Sequence, residues 1–214
     1  MDLPMKTPVQ RPSWILFDLG GVLADWTGPQ ALRALLPAPV ADAEYARRWM
    51  NCAATDRFER GAIAPLDFAR AFAADWQLAL APDDLLARYV GWLRGFYPGA
   101  RELLAALRPQ ARLACLSNTN AAHWDSPVGQ AIRAEFDVAL ASHELGLRKP
   151  QPEIFQQALH RLNARLNAAP SAVLYFDDLA PNVAAAKAAG LQAHHVAGLP
   201  ALRARLLTLG LLPG

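Results

Sequence analysis

The chain has 214 residues, enough for one large domain or for one domain carrying a modest insertion. It is 53% hydrophobic and 19% charged, which excludes an intrinsically disordered chain. Its 21 basic and 19 acidic residues leave a net charge of +2 with no basic block, so a nucleic-acid partner has no electrostatic support.

The opening stretch, Met1 to Ser13, is polar and interrupted by Pro4, Pro8 and Pro12, without the apolar segment of a signal peptide. No apolar run approaches the ~20 residues of a membrane span, and the end of the chain has no lipidation signal. Cys52 and Cys115 lie far apart with no CxxC spacing, which fits a reducing compartment and argues against a zinc site or disulfide scaffold. A cytoplasmic protein without membrane contact is expected.

Trp14 to Phe17 is a short apolar run stopped by Asp18 and the turn-forming Gly20-Gly21, and reads as a buried strand. From Asp25 to about Tyr97 the pattern is helical, best over 41–50, 65–76 and 83–96, and shows no convincing strand. Four of the six tryptophans fall there: Trp26, Trp49, Trp76 and Trp92. A helix over 99–107 follows Pro98. Further strand runs are Arg112 to Leu116, Val138 to Ala141 and Ala172 to Phe176, with a weaker one from Ala193 to Val196. Helices are predicted over 153–162 and 182–189, the latter ending at Gly190. Strands apolar on both faces, alternating with helices, predict a doubly wound α/β fold with a parallel sheet. The expected division is a core of residues 1–24 and 98–214 with an inserted helical cap over 25–97.

In such sheets ligands bind beyond the carboxyl ends of the strands. Here the strands end in Asp18, in Ser117-Asn118, in the Ser142 to Lys149 loop, and in Asp177-Asp178. Each piece alone has an ordinary explanation: a turn carboxylate, a helix N-cap, a surface lysine, a solvated acidic turn. Together, and in order, they would bring carboxylates, a hydroxyl, amides and an ammonium to one spot. Close carboxylates repel unless a cation is present, and oxygen ligands beside a phosphate suit Mg²⁺.

Phe17–Leu23 (FDLGGVL), Leu116–Asn120 (LSNTN), Ser142–Phe155 (SHELGLRKPQPEIF) and Tyr175–Gly190 (YFDDLAPNVAAAKAAG) resemble the haloacid dehalogenase superfamily. The subgroup is the one with a helical cap inserted after the first motif, and Phe58–Ile63 (FERGAI) fits that cap. The resemblance extends from Ile15 to Val196 and is nearest to glucose-1-phosphate phosphatase-like enzymes and to the N-terminal phosphatase domain of soluble epoxide hydrolases. It implies a hydrolase for a small phosphate ester, a sugar phosphate among the candidates, acting as a monomer or homodimer. Asp18 would be the nucleophile and also a Mg²⁺ ligand, with the Gly20 carbonyl, Asp178 and Asp177 completing the metal shell. Ser117, the Asn118 backbone N–H and Lys149 would hold the phosphoryl group.

One departure stands out. The second aspartate that most phosphatases of the superfamily carry two residues after the nucleophile is Gly20 here. General acid–base help is worth about 10²–10⁴ in rate, so a substitute is sought among Asp25, His123 and a water. His123 follows the LSNTN loop closely and stands as the catalytic candidate, whereas Asp25 reads better as a helix N-cap. Alternatives are a metal-independent haloacid dehalogenase, which needs no proton for its leaving halide, and a catalytically weak phosphate-binding protein. Trp26, Arg47, Trp49, Met50 and Arg57 are candidate lining residues of the cap, although a tryptophan at helical spacing is usually core and a lone arginine usually a solvated face.

Overall fold

The computed structural model describes residues 11–166 and 169–213, so the polar leader before Arg11 lies outside them. The chain runs from strand β1 (Trp14–Phe17) through β2 (Ala24–Trp26) into five helices: α1 (Gly28–Arg33), α2 (Asp42–Met50), α3 (Ala53–Glu59), α4 (Pro65–Trp76) and α5 (Pro82–Val90). It returns by β3 (Leu93–Phe96) to α6 (Ala100–Leu107), β4 (Arg112–Ser117), α7 (Ala121–Trp124), α8 (Pro127–Arg133), β5 (Val138–Ala141) and α9 (Ser142–Leu145). Then follow α10 (Pro152–Leu166), β6 (Val173–Asp177), α11 (Ala180–Ala188), β7 (Gln192–His195) and α12 (Gly198–Thr208).

Five strands form a parallel sheet in the order β5-β4-β1-β6-β7, with β1 at its centre. The four residues of β1 are all buried, and they alternate between two cores. Ile15 and Phe17 pack with Leu103, Leu104, Ile132 and Leu202 of α6, α8 and α12. Trp14 and Leu16 pack with Ile154, Phe155, Val183 and Ala186 of α10 and α11. An uninterrupted apolar tetrapeptide therefore belongs here, because both faces of a central strand are covered. Each such side chain taken out of water contributes about 1.5–3 kcal/mol.

The segment between β1 and α6 differs from the strandless expectation. Its two ends, β2 and β3, pair as an antiparallel ribbon, Ala24 opposite Phe96 and Asp25 opposite Gly95. The helix expected over 83–96 accordingly stops at Val90. Asp25 is a strand residue rather than a helix cap. Beyond the ribbon, α1–α5 gather around their own aromatic core of Phe58, Phe68, Phe72, Trp76, Tyr89 and Trp92. Prolines at the first turns of α1, α4 and α5 suit helix starts, where the missing N–H costs nothing.

Candidate active site

Asp18 follows β1 directly, and its N–H still donates to the Phe176 carbonyl at 2.8 Å, so the sheet ladder fixes where its side chain emerges. Asp177 ends the adjacent β6 and Ser117 ends β4 on the other flank. The three neighbouring central strands thus deliver their last polar side chains to one end of the sheet. Asp18, Asp177 and Asp178 each offer a carboxylate oxygen within 4.8 Å of the others.

Lys149 binds this group together. Its Nζ donates to Asp18 Oδ1 at 2.8 Å, to Asp177 Oδ2 at 2.8 Å and to the Tyr175 hydroxyl at 3.2 Å. The ammonium is buried, which lowers its pKa, but Asp177 and Asp18 outweigh burial and hold it well above the ordinary value. Lys149 is a fixed cation. Its backbone is fixed too: the Asn118 side chain donates to the Lys149 carbonyl (3.0 Å) and accepts from the Lys149 N–H (2.8 Å). Next along the loop, Ser142 Oγ accepts from Thr119 N–H (2.9 Å) and donates to the Thr119 carbonyl (2.8 Å).

The three carboxylates are not equivalent. Asp177 is fully buried and accepts from Lys149, Tyr175, the Leu179 N–H (2.8 Å) and Asn182 Nδ2 (2.9 and 3.1 Å). Burial works to raise its pKa, yet Lys149 and these donors bring it below the usual carboxylate range. Asp18 goes the other way, to about 7: burial dominates, Lys149 opposes it, and Asp177 and Asp178 add repulsion. Asp178 is also raised, by burial and then by Asp177. One ammonium does not offset three carboxylates, and the donor set is all oxygen. These residues fit a hard divalent cation.

Two glycines shape the turn after Asp18. Gly21 has φ +73°, and a Cβ there would fall 2.2 Å from Asp178 Oδ2, so both the backbone and the approaching carboxylate demand glycine. Gly20 is different. It has no positive φ, and a Cβ would meet only the Trp26 side chain, 3.5 Å away.

His123, the candidate for proton transfer, is held on both sides by hydrogen bonds. Its Nε2 donates to the Tyr89 carbonyl at 2.7 Å, and its Nδ1 accepts from Asn120 Nδ2 at 3.1 Å. The ring stacks on Tyr89 with centroids 4.5 Å apart. Burial pushes its pKa down to about 4, against a smaller upward pull from the Tyr89 carbonyl. A neutral imidazole with both nitrogens engaged is part of the packing between α5 and α7, and its one N–H is taken by the Tyr89 carbonyl.

The helical segment reaches the Lys149 loop through charges. Arg148 Nη1 lies 3.0 Å from Asp56 Oδ1, and its Nε lies 2.7 Å from Glu59 Oε2, close but without hydrogen-bond alignment, so the attraction there is Coulombic. Arg60 bonds both Asp56 oxygens (3.1 and 3.0 Å) and donates to Gln151 Oε1 at 2.6 Å. Gly61 permits this approach, since a Cβ would sit 2.5 Å from the His143 carbonyl oxygen. Of the candidate lining residues of the cap, Arg47 and Arg57 are exposed, and Trp49 and Met50 line a cleft of about 660 Å³ with Pro29, Arg33 and Tyr45. None of the strand-end residues lines that cleft. Trp26 stands beside the turn that follows Asp18.

A central parallel sheet whose strand ends present a lysine-bridged aspartate beside two further carboxylates is the architecture of a phosphoryl-handling α/β hydrolase. The chain belongs to the haloacid dehalogenase-like hydrolase family, whose profile matches residues 12–190. It is similar to a phosphatase, MT3486, of Mycobacterium tuberculosis, with 29% identity over 86% of this chain and 87% of the relative. It is also similar to D-ribitol-5-phosphate phosphatase of Bacteroides thetaiotaomicron, with 24% identity over 83% of this chain and 88% of that protein. Among solved structures, a haloacid dehalogenase family enzyme of Bacteroides thetaiotaomicron, crystallised with magnesium and inorganic phosphate, shares the fold. Its TM-score is 0.66 at 20% identity, over 86% of this chain and 94% of the other.

The sequence pointed to Asp18, Ser117, Asn118, Lys149, Asp177 and Asp178 as strand-end residues, and the structure places them at one end of the sheet. It did not point to Tyr175 or Asn182. Tyr175 looks like core within an apolar strand, and Asn182 sits in an alanine-rich helix. The only available signal was their spacing from Asp177, two residues before and five after.

Proposed function

We propose that this chain is a magnesium-dependent phosphoric monoester hydrolase that works through an aspartyl-phosphate on Asp18, with residues 25–97 as a cap over the site. The observation that carries this reading is the Lys149 ammonium held between Asp18 and Asp177 within a cluster of uncompensated carboxylates. The relatives named as phosphatases support the same reaction class.

Asp18, Asp178 and the Gly20 carbonyl would hold Mg²⁺, which supplies charge neutralisation at the phosphoryl oxygens when bound, with Asp177 beside them bracing Lys149. Lys149 keeps the Asp18 carboxylate oriented and offsets charge that gathers on the transferring group. Ser117 Oγ and the Asn118 N–H lie where β4 ends and would take phosphoryl oxygens. The Asn118 side chain has the separate task of fixing the Lys149 backbone. Phosphoryl transfer needs positioning and neutralisation more than covalent assistance, and this site is built for both. The substrate is a small phosphate ester.

A dehalogenase has no use for a cation, and the retained pair Asp177-Asp178 favours the phosphatase. The two are separated by following phosphate release from an aryl phosphate with added Mg²⁺ and with excess chelator. Hydrolysis that requires Mg²⁺ and is lost in Asp18→Asn is expected. Full activity in chelator, or wild-type turnover in Asp18→Asn, would overturn the reading.

A further inference from the structure

Cleaving a phosphate ester leaves an oxyanion that must be protonated or be stable without a proton. Among the described residues, the side chains linked to Asp18 by hydrogen bonds, Lys149, Asp177 and Tyr175, are already committed. Lys149 bridges two carboxylates, and Asp177 accepts from Lys149, Tyr175, Leu179 and Asn182. Tyr175 gives its own proton to Asp177, and Asp178 completes the carboxylate cluster. His123 has both ring nitrogens bonded. On the side facing α1–α5, the first side chain beyond Gly20 is an indole.

That indole is built in. The bridge between Gly20 and Ala24 folds β2 back over the nucleophile's turn, which brings Trp26 onto Gly20. A Cβ on Gly20 would lie 3.5, 3.6 and 3.7 Å from Trp26 Cβ, Cδ1 and Cγ. At the other end of the ring, a Cβ on Gly28 would fall 2.1 Å from Cζ2 and 2.6 Å from Cε2, so Gly28 is the residue that admits the benzo ring. The edge of His123 (centroids 4.9 Å apart, 81° between planes) and that of Tyr89 (6.1 Å, 76°) steady it. Trp26 is packed against the α1–α5 core yet not fully buried.

We infer that Trp26 is a specificity-determining residue that contacts the departing group, and that this site selects phosphate esters of acidic, planar alcohols, aryl or enol phosphates, over alkyl phosphates. The inference rests on the phosphatase reading and deepens it. In the first displacement Asp18 forms a bond to phosphorus while the bond to the leaving oxygen breaks, its electron pair staying on that oxygen. A phenol loses its proton near pH ~10, whereas an alkoxide is nearly as basic as hydroxide. A phenolate or enolate therefore departs unprotonated, takes its proton from water afterwards, and rests against the indole. Water then attacks phosphorus, the Asp18 carboxylate leaves, and the proton of the water passes to solvent with inorganic phosphate.

The test is kcat and KM for a series of substituted phenyl phosphates and for an alkyl ester, D-ribitol 5-phosphate, in the wild type, Trp26→Ala, Trp26→Phe, Gly20→Asp and Asp25→Asn. The wild type should show a steep rise in rate with leaving-group acidity. Trp26→Ala should lose about tenfold of the aryl-over-alkyl preference, mostly through KM, as for one lost aromatic contact, and Trp26→Phe should keep most of it. Gly20→Asp, which needs no positive φ and whose Cβ meets Trp26 at ordinary contact distance, should speed the alkyl ester selectively. A shallow series in the wild type would overturn the inference, as would a series that becomes steep only in Asp25→Asn or an unchanged preference in Trp26→Ala. Absence of phosphate release from every ester would remove the phosphatase reading, and this inference with it.

Discussion

Asp177 and Asp178 are neighbours in sequence, but their surroundings give them different work. Asp177 is a buried anchor with five hydrogen bonds to four partners, while Asp178 is half-buried and faces the Gly21 turn. Asp178→Asn should leave the unfolding midpoint nearly unchanged and weaken Mg²⁺ binding, followed by isothermal titration with MgCl₂. Asp177→Asn should instead destabilise the fold by about 3–5 kcal/mol in urea, the cost of breaking a buried pair around an ammonium. Equal effects of the two substitutions on stability would contradict this division.

His123 makes the residue scale visible in a pH profile. Its pKa falls from the ordinary 6.5 to about 4, chiefly through burial. Between those values the unfolded chain binds the proton and the folded one does not. Its contribution to stability is therefore full above pH 6.5 and is lost as pH falls towards 4. By linkage this amounts to about 2 kcal/mol by pH 5. His123→Gln keeps an N–H for the Tyr89 carbonyl but cannot titrate. Urea unfolding at pH 7 and pH 5 should show a smaller loss in this variant than in the wild type by about that amount.

At the scale of elements, the segments that were legible were those whose environment is uniform. β1 and β4–β6 are covered on both faces, so apolar runs stopping at polar residues mark them. The β2–β3 ribbon was not legible, because the alternation of Ala24-Asp25-Trp26 is only three residues long, that of Leu93-Arg94-Gly95-Phe96 breaks at Gly95, and their pairing is imposed from a distance. The surroundings of His123 were not legible for a related reason: one turn of α7 carries its ring into the packing against Tyr89 of α5 and Trp26. The salt-bridge clasp was hidden in the same way, with Asp56 and Glu59 lying about ninety residues from Arg148. Arg148→Met should leave Glu59 without its counter-charge, and Glu59→Gln should recover part of the loss. A double-mutant cycle in urea should give a coupling of about 1–3 kcal/mol, and a value near zero would make the clasp a solvated contact.

For the whole molecule, the strand order β5-β4-β1-β6-β7 explains why one polar cluster assembles from motifs scattered over 160 positions, Asp18 to Asp178. Parallel strands all end on one side, and the three at the centre carry Ser117, Asp18 and Asp177. That convergence was readable in the sequence because it depends only on where strands stop. What was not readable is how the polar side chains share hydrogen bonds once there, which sets Asp177 and the Asn118 side chain to holding Lys149. Among the described residues no helix is long and apolar enough to cross a membrane.

The central claim is that Asp18 becomes covalently phosphorylated. The most direct measurement is a single-turnover reaction with an aryl phosphate and Mg²⁺, quenched in acid, digested and analysed by mass spectrometry. The peptide spanning Asp18 should gain the mass of one phosphoryl group transiently, and heavy-oxygen water should label the released phosphate and not the aspartate. Phosphate release with no phosphorylated Asp18 peptide at any time, or heavy oxygen accumulating in the Asp18 carboxylate, would contradict it.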